Sequence, residues 1–290
     1  MKNLISILCM GLSMLSMGLY GKNGVSGDLR WVGTRLSTDC PVSLGIPFLK
    51  GELEADGRVV LKDGGGSGIP SDCWPLAYWP DGSLKWLGVA AVIPGEAEGI
   101  RFETTGKKHK MKNRSETKIQ VDETTSFFRV STGKVEAYIP KRGCCLLDSL
   151  RCEGRTVGGQ AALLCSTQDH QSAEGEAVLH FTDYRGQVER VTVERAGDIR
   201  ALVRIEGRYA NDATRRKWLP FTVRLYFYAG SEQIKMVHSF VFDGDMDRDF
   251  IRSLGIRFEV SMREAAYNRH VAFATADGGV WAEPVQPLNG

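Results

Sequence analysis

The sequence predicts an all-β protein in two parts, the second a large antiparallel β-sandwich. Three observations carry this. From Gly27 to Glu103, short apolar runs are cut by turn residues with no sustained helical period. From Thr117 onward the runs lengthen and alternate, with apolar residues at every second position of Val223 to Tyr228 and of Lys235 to Phe242. Between the two parts lies a basic run, KKHKMKN, after Gly106; residues 106–116 read as a solvated linker.

Taken in order, residues 1–18 carry Lys2, an apolar run from Leu4 to Leu15, and the small residues Ser16 and Gly18. This is the pattern of a secretory signal peptide, so an exported, periplasmic or extracellular chain is expected. The run is too short to span a bilayer, and no later segment qualifies, so no membrane span is expected. In the first part, residues 26–105, strands are expected at Leu29 to Leu36, Val42 to Leu53, Arg58 to Leu61, Leu76 to Trp79 and Leu84 to Ile93. The cluster from Gly64 to Gly68 lacks the lysine of a phosphate loop and reads as a plain loop. Trp79-Pro80-Asp81-Gly82-Ser83 is a hairpin turn: proline presets φ, aspartate bonds nearby backbone, and glycine accepts a positive φ.

In the second part, residues 117–290, strands are expected at Phe127 to Val130, Val135 to Ile139, Ala177 to Phe181 and Val188 to Glu194. Others follow at Leu202 to Tyr209, Phe221 to Tyr228, Ile234 to Phe242 and Ile256 to Val260, with a tight turn at Ala229-Gly230-Ser231. Val271 to Thr275 and Val280 to Glu283 form two last strands, after which no closing element follows. Two readings are open: the sandwich closes there, or it is truncated at its C-terminal end.

Composition narrows the partners. In 290 residues, 37 basic side chains against 35 acidic ones give no field that would draw nucleic acid. Seven cysteines are present, Cys9 in the leader and Cys40, Cys73, Cys144, Cys145, Cys152 and Cys165 beyond it. None stands in C-x-x-C spacing, so zinc is not expected and mostly free, buried thiols are. G-x-S-x-G, H-E-x-x-H and a spaced Ser/His/Asp trio are all missing, which removes the common hydrolase motifs.

Candidate contacts cluster around aromatics. Trp74, Trp79 and Trp86 surround one turn, and two readings are open: cross-strand packing, or a platform on which sugar rings stack with Asp81 and Lys85 bonding hydroxyls or a uronate. Arg216 beside Trp218, with Arg224 further on, combines guanidinium and ring in a way that suits uronates. His238 reads as a sheet histidine or, less simply, a base. Asp243, Asp245 and Asp247 alternate like a calcium loop, but Arg248 and Leu254 occupy the positions where an EF-hand needs glycine and glutamate. Only an irregular calcium site or a solvated turn is left there, and no cofactor is expected.

Several of these stretches resemble one family. Gly45-Ile46-Pro47-Phe48-Leu49-Lys50-Gly51, Ile69-Pro70 and Trp79-Pro80-Asp81-Gly82-Ser83-Leu84-Lys85-Trp86 resemble the N-terminal RIFT-type barrel of exo-rhamnogalacturonan lyase and YetA-like proteins. Phe128 to Gly133, Leu147 to Leu150, Trp218 to Tyr226 and His238 to Asp245 resemble that family's central β-sandwich. The resemblance implies a small RIFT-type β-barrel followed by the sandwich, and an acidic plant-type polysaccharide or oligosaccharide as partner. It also implies a further partner, a C-terminal α/α toroid that contributes the catalytic cleft of a β-eliminating polysaccharide lyase; no helical repeat occurs in this sequence. The expected role is therefore scaffold and carbohydrate contact in pectin degradation, with the chain alone inactive. The alternative is a stand-alone, non-enzymatic carbohydrate-binding or interaction module. Such a lyase needs a base for the proton beside a uronate carboxyl and a group to hold the charge; His238, Tyr226 and Arg224 are of the right types.

Overall fold

Residues 24–32, 37–105, 117–169, 179–275 and 279–284 are described by a computed structural model. The expected leader and basic linker lie outside these residues, as do positions 33–36 of the strand expected at Leu29 to Leu36 and 177–178 of that expected at Ala177 to Phe181. The first part holds β1 (Ser26–Leu29), β2 (Cys40–Pro47), β3 (Arg58–Asp63), β4 (Gly68–Ile69), β5 (Ser71–Tyr78), β6 (Leu84–Ile93) and β7 (Ile100–Thr105). They form two antiparallel sheets, β1-β7-β3-β4 and β2-β6-β5. Alternation explains the closure: Val42, Ile46, Leu87, Val89 and Ile93 of one sheet meet Leu61, Ile100 and Phe102 of the other in a common core. Pro75 lies within β5, which its run of apolar residues did not announce; β5 is an edge strand and its register shifts at Pro75, where a missing N–H costs little.

The second part is a sandwich. Its smaller sheet, ordered β12-β11-β10-β9-β8, comprises β8 (Gln120–Glu123), β9 (Phe127–Ser131), β10 (Val135–Pro140), β11 (Ser149–Cys152) and β12 (Arg155–Gly158). The larger, ordered β17-β16-β15-β14-β13-β18, comprises β13 (Ala161–Gln168), β14 (Phe181–Ala196), β15 (Arg200–Asn211), β16 (Arg216–Tyr228), β17 (Ile234–Phe240) and β18 (Phe250–Phe258). Phe128, Val130, Ala137 and Ile139 face Leu163, Val203, Ile205, Val223, Leu225 and Phe227 across the core. Each such side chain contributes about 1.5–3 kcal/mol by leaving water. Beyond β18, a 3-10 turn at Ala266–Asn268 leads to a separate hairpin of β19 (His270–Ala274) and β20 (Val280–Pro284). Pro220 falls inside β16, where Leu219 adopts φ 51° and the register shifts, so the proline sits at a bulge.

The barrel docks on the sandwich through the outer face of its β2-β6-β5 sheet. Along β6 the outward residues are Trp86, Gly88, Ala90 and Val92; Val92 packs against the sandwich core. Opposite Ala90, Asp72 points the same way, and its Oδ2 accepts the backbone N–H of Ile199 and of Arg200, each at 2.8 Å. A Cβ at Gly197 would fall on that carboxylate, so the β14–β15 turn can seat there only without one. Asp72→Ala should orphan two N–H groups and lower stability by about 2–4 kcal/mol. Equilibrium urea unfolding checks this; an unchanged midpoint would contradict the docking role.

Candidate functional site

The hairpin forms as its residues require. Trp79 N–H donates to Ser83 O at 2.8 Å, Gly82 N–H donates to Trp79 O at 2.9 Å, and Gly82 has φ 85°. Asp81 Oδ1 accepts the Ser83 hydroxyl at 2.6 Å and the Ser83 N–H at 3.0 Å, and these bonds hold its carboxyl below the ordinary aspartate range. Trp79 is committed to packing: its Nε1–H donates to Phe48 O at 3.0 Å, and Lys85 Nζ stands 4.5 Å from its ring centroid. Trp86 differs, because it is 39% exposed on the outer face. Beside it, also against Gly45, lies Leu76 at 56% exposure, so an open apolar surface continues across both strands.

Trp74 occupies the next outward station, opposite Gly88, against which its indole lies so closely that a Cβ would collide. The guanidinium carbons of Arg200 and Arg195 stand 4.1 Å and 4.4 Å from its ring centroid. Arg200 is buried and donates from Nη1 to Ser43 Oγ at 2.8 Å; that hydroxyl also bonds the Tyr228 hydroxyl at 2.9 Å. Tyr226 lies 5.6 Å from the Arg200 guanidinium and 5.6 Å from Lys235 Nζ. Sequence reading missed both Arg195 and Arg200. The only local signal was two arginines flanking a glycine-containing turn.

The remaining candidates stand apart from the hairpin: Arg216 with Trp218 at one place, Arg224 at a second and His238 at a third. Arg216 binds Asp249 through both Nη atoms, at 2.6 Å and 2.5 Å, and its guanidinium carbon is 4.8 Å from the ring centroid of Trp218, which is buried against Tyr184 and Phe242. The paired guanidinium holds the Asp249 carboxyl low. Arg224 lies on the outer face of the large sheet, bound to Glu194 at 3.1 Å and 3.2 Å. His238 points to the inner face, among Tyr209, Phe221 and Phe240. Register explains the separation: His238 pairs with the inward Val223, whereas Arg224 and Tyr226 point outward. The three groups suited to elimination chemistry therefore do not meet.

Asp243 accepts Leu219 N–H at 2.6 Å and Arg208 at 3.0 Å, while Asp245 Oδ1 accepts Asp247 N–H at 2.9 Å. The Asp243 and Asp245 carboxylates thus serve backbone and guanidinium, and among the described residues no group of three or more His, Cys, Asp or Glu side chains is placed to hold a metal ion. The six cysteines from Cys40 onward are free thiols; Cys40 and Cys165 are buried, Cys144 is exposed, and burial pushes Cys165 up to about 11. A separate cavity of about 440 Å³ lies against β13, β14 and β18, lined by Arg185, Arg257, Asp183, Asp212 and Ser253 among others. Its charges balance, and none of the residues singled out in the sequence as contacts lines it.

A RIFT-type barrel joined to a β-sandwich, with open aromatic surface near the junction, defines the class of protein. Family models match both parts: the PcRGLX-like N-terminal RIFT barrel domain matches residues 25–105, and the PcRGLX-like protein central beta sandwich domain matches residues 119–290. This chain belongs to that family of rhamnogalacturonan lyase-like proteins. It is 31% identical over 258 residues to the uncharacterized protein YetA of Bacillus subtilis (strain 168), an alignment covering 89% of this chain and 30% of that protein.

Burial lowers the pKa of His238. The unfolded chain takes up a proton near pH 6.5, the folded chain only below that, so stability is full above this value and falls as pH drops toward the folded pKa. Replacing His238 by Phe should flatten the stability difference between pH 7 and pH 5 measured by urea unfolding. A parallel loss in both proteins would show that another group is responsible.

Proposed function

We propose that this chain is the scaffolding and carbohydrate-contacting β portion of an exported rhamnogalacturonan lyase-like protein acting on acidic pectic polysaccharide. The observation that carries the reading is the open face formed by Trp86 and Leu76 on the β2-β6-β5 sheet, continuous with the cationic junction at Trp74. An exposed indole on a rigid sheet offers apolar area to a sugar ring without losing conformational freedom on contact. The junction arginines add positive charge beside it, which suits a uronate-containing chain better than a neutral one. Export rests on the leader pattern at Lys2 and Leu4 to Leu15. Among the described residues no helix is long and apolar enough to cross a membrane. Scaffold rather than complete catalytic unit fits the opposite faces on which His238 and Arg224 stand, and the chain spans 30% of the length of YetA.

Titrating rhamnogalacturonan oligosaccharides and neutral galactan oligosaccharides against tryptophan fluorescence tests the reading. The acidic ligands should bind more tightly, and Trp86→Ala should weaken them about tenfold, ~1.4 kcal/mol. Incubation with the same oligosaccharides should release no unsaturated uronate, read by its ultraviolet absorbance. No response to any glycan would remove the carbohydrate role, and robust product formation would overturn the scaffold assignment.

A further inference from the structure

We propose that Arg195, at the junction of barrel and sandwich, binds the carboxylate of a uronate whose neighbouring sugar stacks on Trp86; this rests on the carbohydrate reading above. Charge pairing varies across the large sheet. On β14, β15 and β16 several guanidinium groups meet carboxylates: Arg190 and Arg204 meet Glu206, Arg204 and Arg224 meet Glu194, and Arg208 meets Asp243. Around Trp74, by contrast, two guanidinium groups share one indole, and Lys235 Nζ stands 5.6 Å from the neighbouring Tyr226 ring. The acid among them is Asp72, whose Oδ2 already accepts two backbone N–H groups.

Two further features make the place suited to negative charge. Arg200 is only 5% exposed, yet among the described residues no carboxylate pairs with its guanidinium and its Nε has no hydrogen-bond partner. Arg195 is half-buried and forms no ion pair among the described residues; burial first and the charge of Arg200 next hold its pKa below the ordinary guanidinium range, against the opposing charge of Asp72. A carboxylate docking on Arg195 would be met by a planar fork of donors and would neutralise a pair of like charges in a partly desolvated setting. Spacing ties this to Trp86. Positions 86 and 88 are successive outward stations of β6, about 7 Å apart, and Trp74 lies over Gly88. A glycan stacked on Trp86 and running along β6 toward the sandwich therefore brings its next unit against Arg195. A neutral sugar there would leave the charge unmatched.

The test titrates D-galacturonate, D-galactose and acetate into the intact chain, followed by tryptophan fluorescence and by calorimetry. Galacturonate should bind saturably and about tenfold or more tighter than galactose, acetate should give the same response more weakly, and added salt should weaken both. Arg195→Gln should lower galacturonate affinity about tenfold while leaving Trp86→Ala-sensitive stacking of neutral oligosaccharides intact. If that variant unfolds, Arg195→Lys, which keeps the charge and loses the fork, should still weaken galacturonate. Galacturonate binding no tighter than galactose, or unchanged in a folded Arg195 variant, overturns the assignment. Should it fall while oligosaccharides still bind through Trp86, the junction site alone is lost; silence of both removes the carbohydrate reading as well.

Discussion

The molecule depends on how a buried arginine is accommodated between two β domains. Arg200 lies at the start of β15, inside the barrel–sandwich contact, and a buried charge without a carboxylate costs several kcal/mol unless other groups compensate. Compensation comes from the Trp74 ring, from Ser43 Oγ, and from Asp72, which holds the backbone of the same residue. Cation–π contacts supply about 0.5–2 kcal/mol and charge-assisted hydrogen bonds about 1.5–3 kcal/mol each, so these together are of the required size. The same contacts fix the barrel's outer sheet against the β14–β15 turn. They thereby fix the position of Trp86, two residues from the Gly88 on which Trp74 rests.

Ion pairing over the rest of the large sheet follows a different rule. Arg190, Glu206, Arg204, Glu194 and Arg224 form an alternating ladder across β14, β15 and β16, each charge answered by a neighbour. Such exposed pairs contribute little individually, about 0–1 kcal/mol. At the junction Arg195 and Arg200 meet an indole instead. Aromatic rings stand where carboxylates would otherwise be, and the local potential is left positive.

What the sequence made legible was local. The Trp79–Ser83 turn, the alternation in β16 and β17, and the turn at Gly230 depend on neighbours a few residues away, and each forms as its residues require. Short strands with few apolar residues, such as β7 and β12, were illegible because pairing rather than composition defines them. The junction was illegible for a stronger reason: the bonds from Asp72 reach 127 and 128 residues along the chain. Trp74 thus looked as open as Trp86, although it carries two guanidinium groups. Arg216 looked available for a uronate, yet Asp249, 33 residues further on, occupies both its arms. Register decided the fate of His238 and Arg224, since no pattern within one strand says which face its partner's residues share.

The most direct measurement uses the six indole N–H signals of Trp31, Trp74, Trp79, Trp86, Trp218 and Trp281 in a nitrogen-15 correlation spectrum, recorded while a galacturonate-containing oligosaccharide is added. If the barrel's outer face and the junction form one acidic-glycan surface, Trp86 and Trp74 shift together along a single binding curve while the buried Trp218 stays in place. Movement of Trp281 or Trp218 without Trp86 and Trp74, or no movement at all, would contradict that surface.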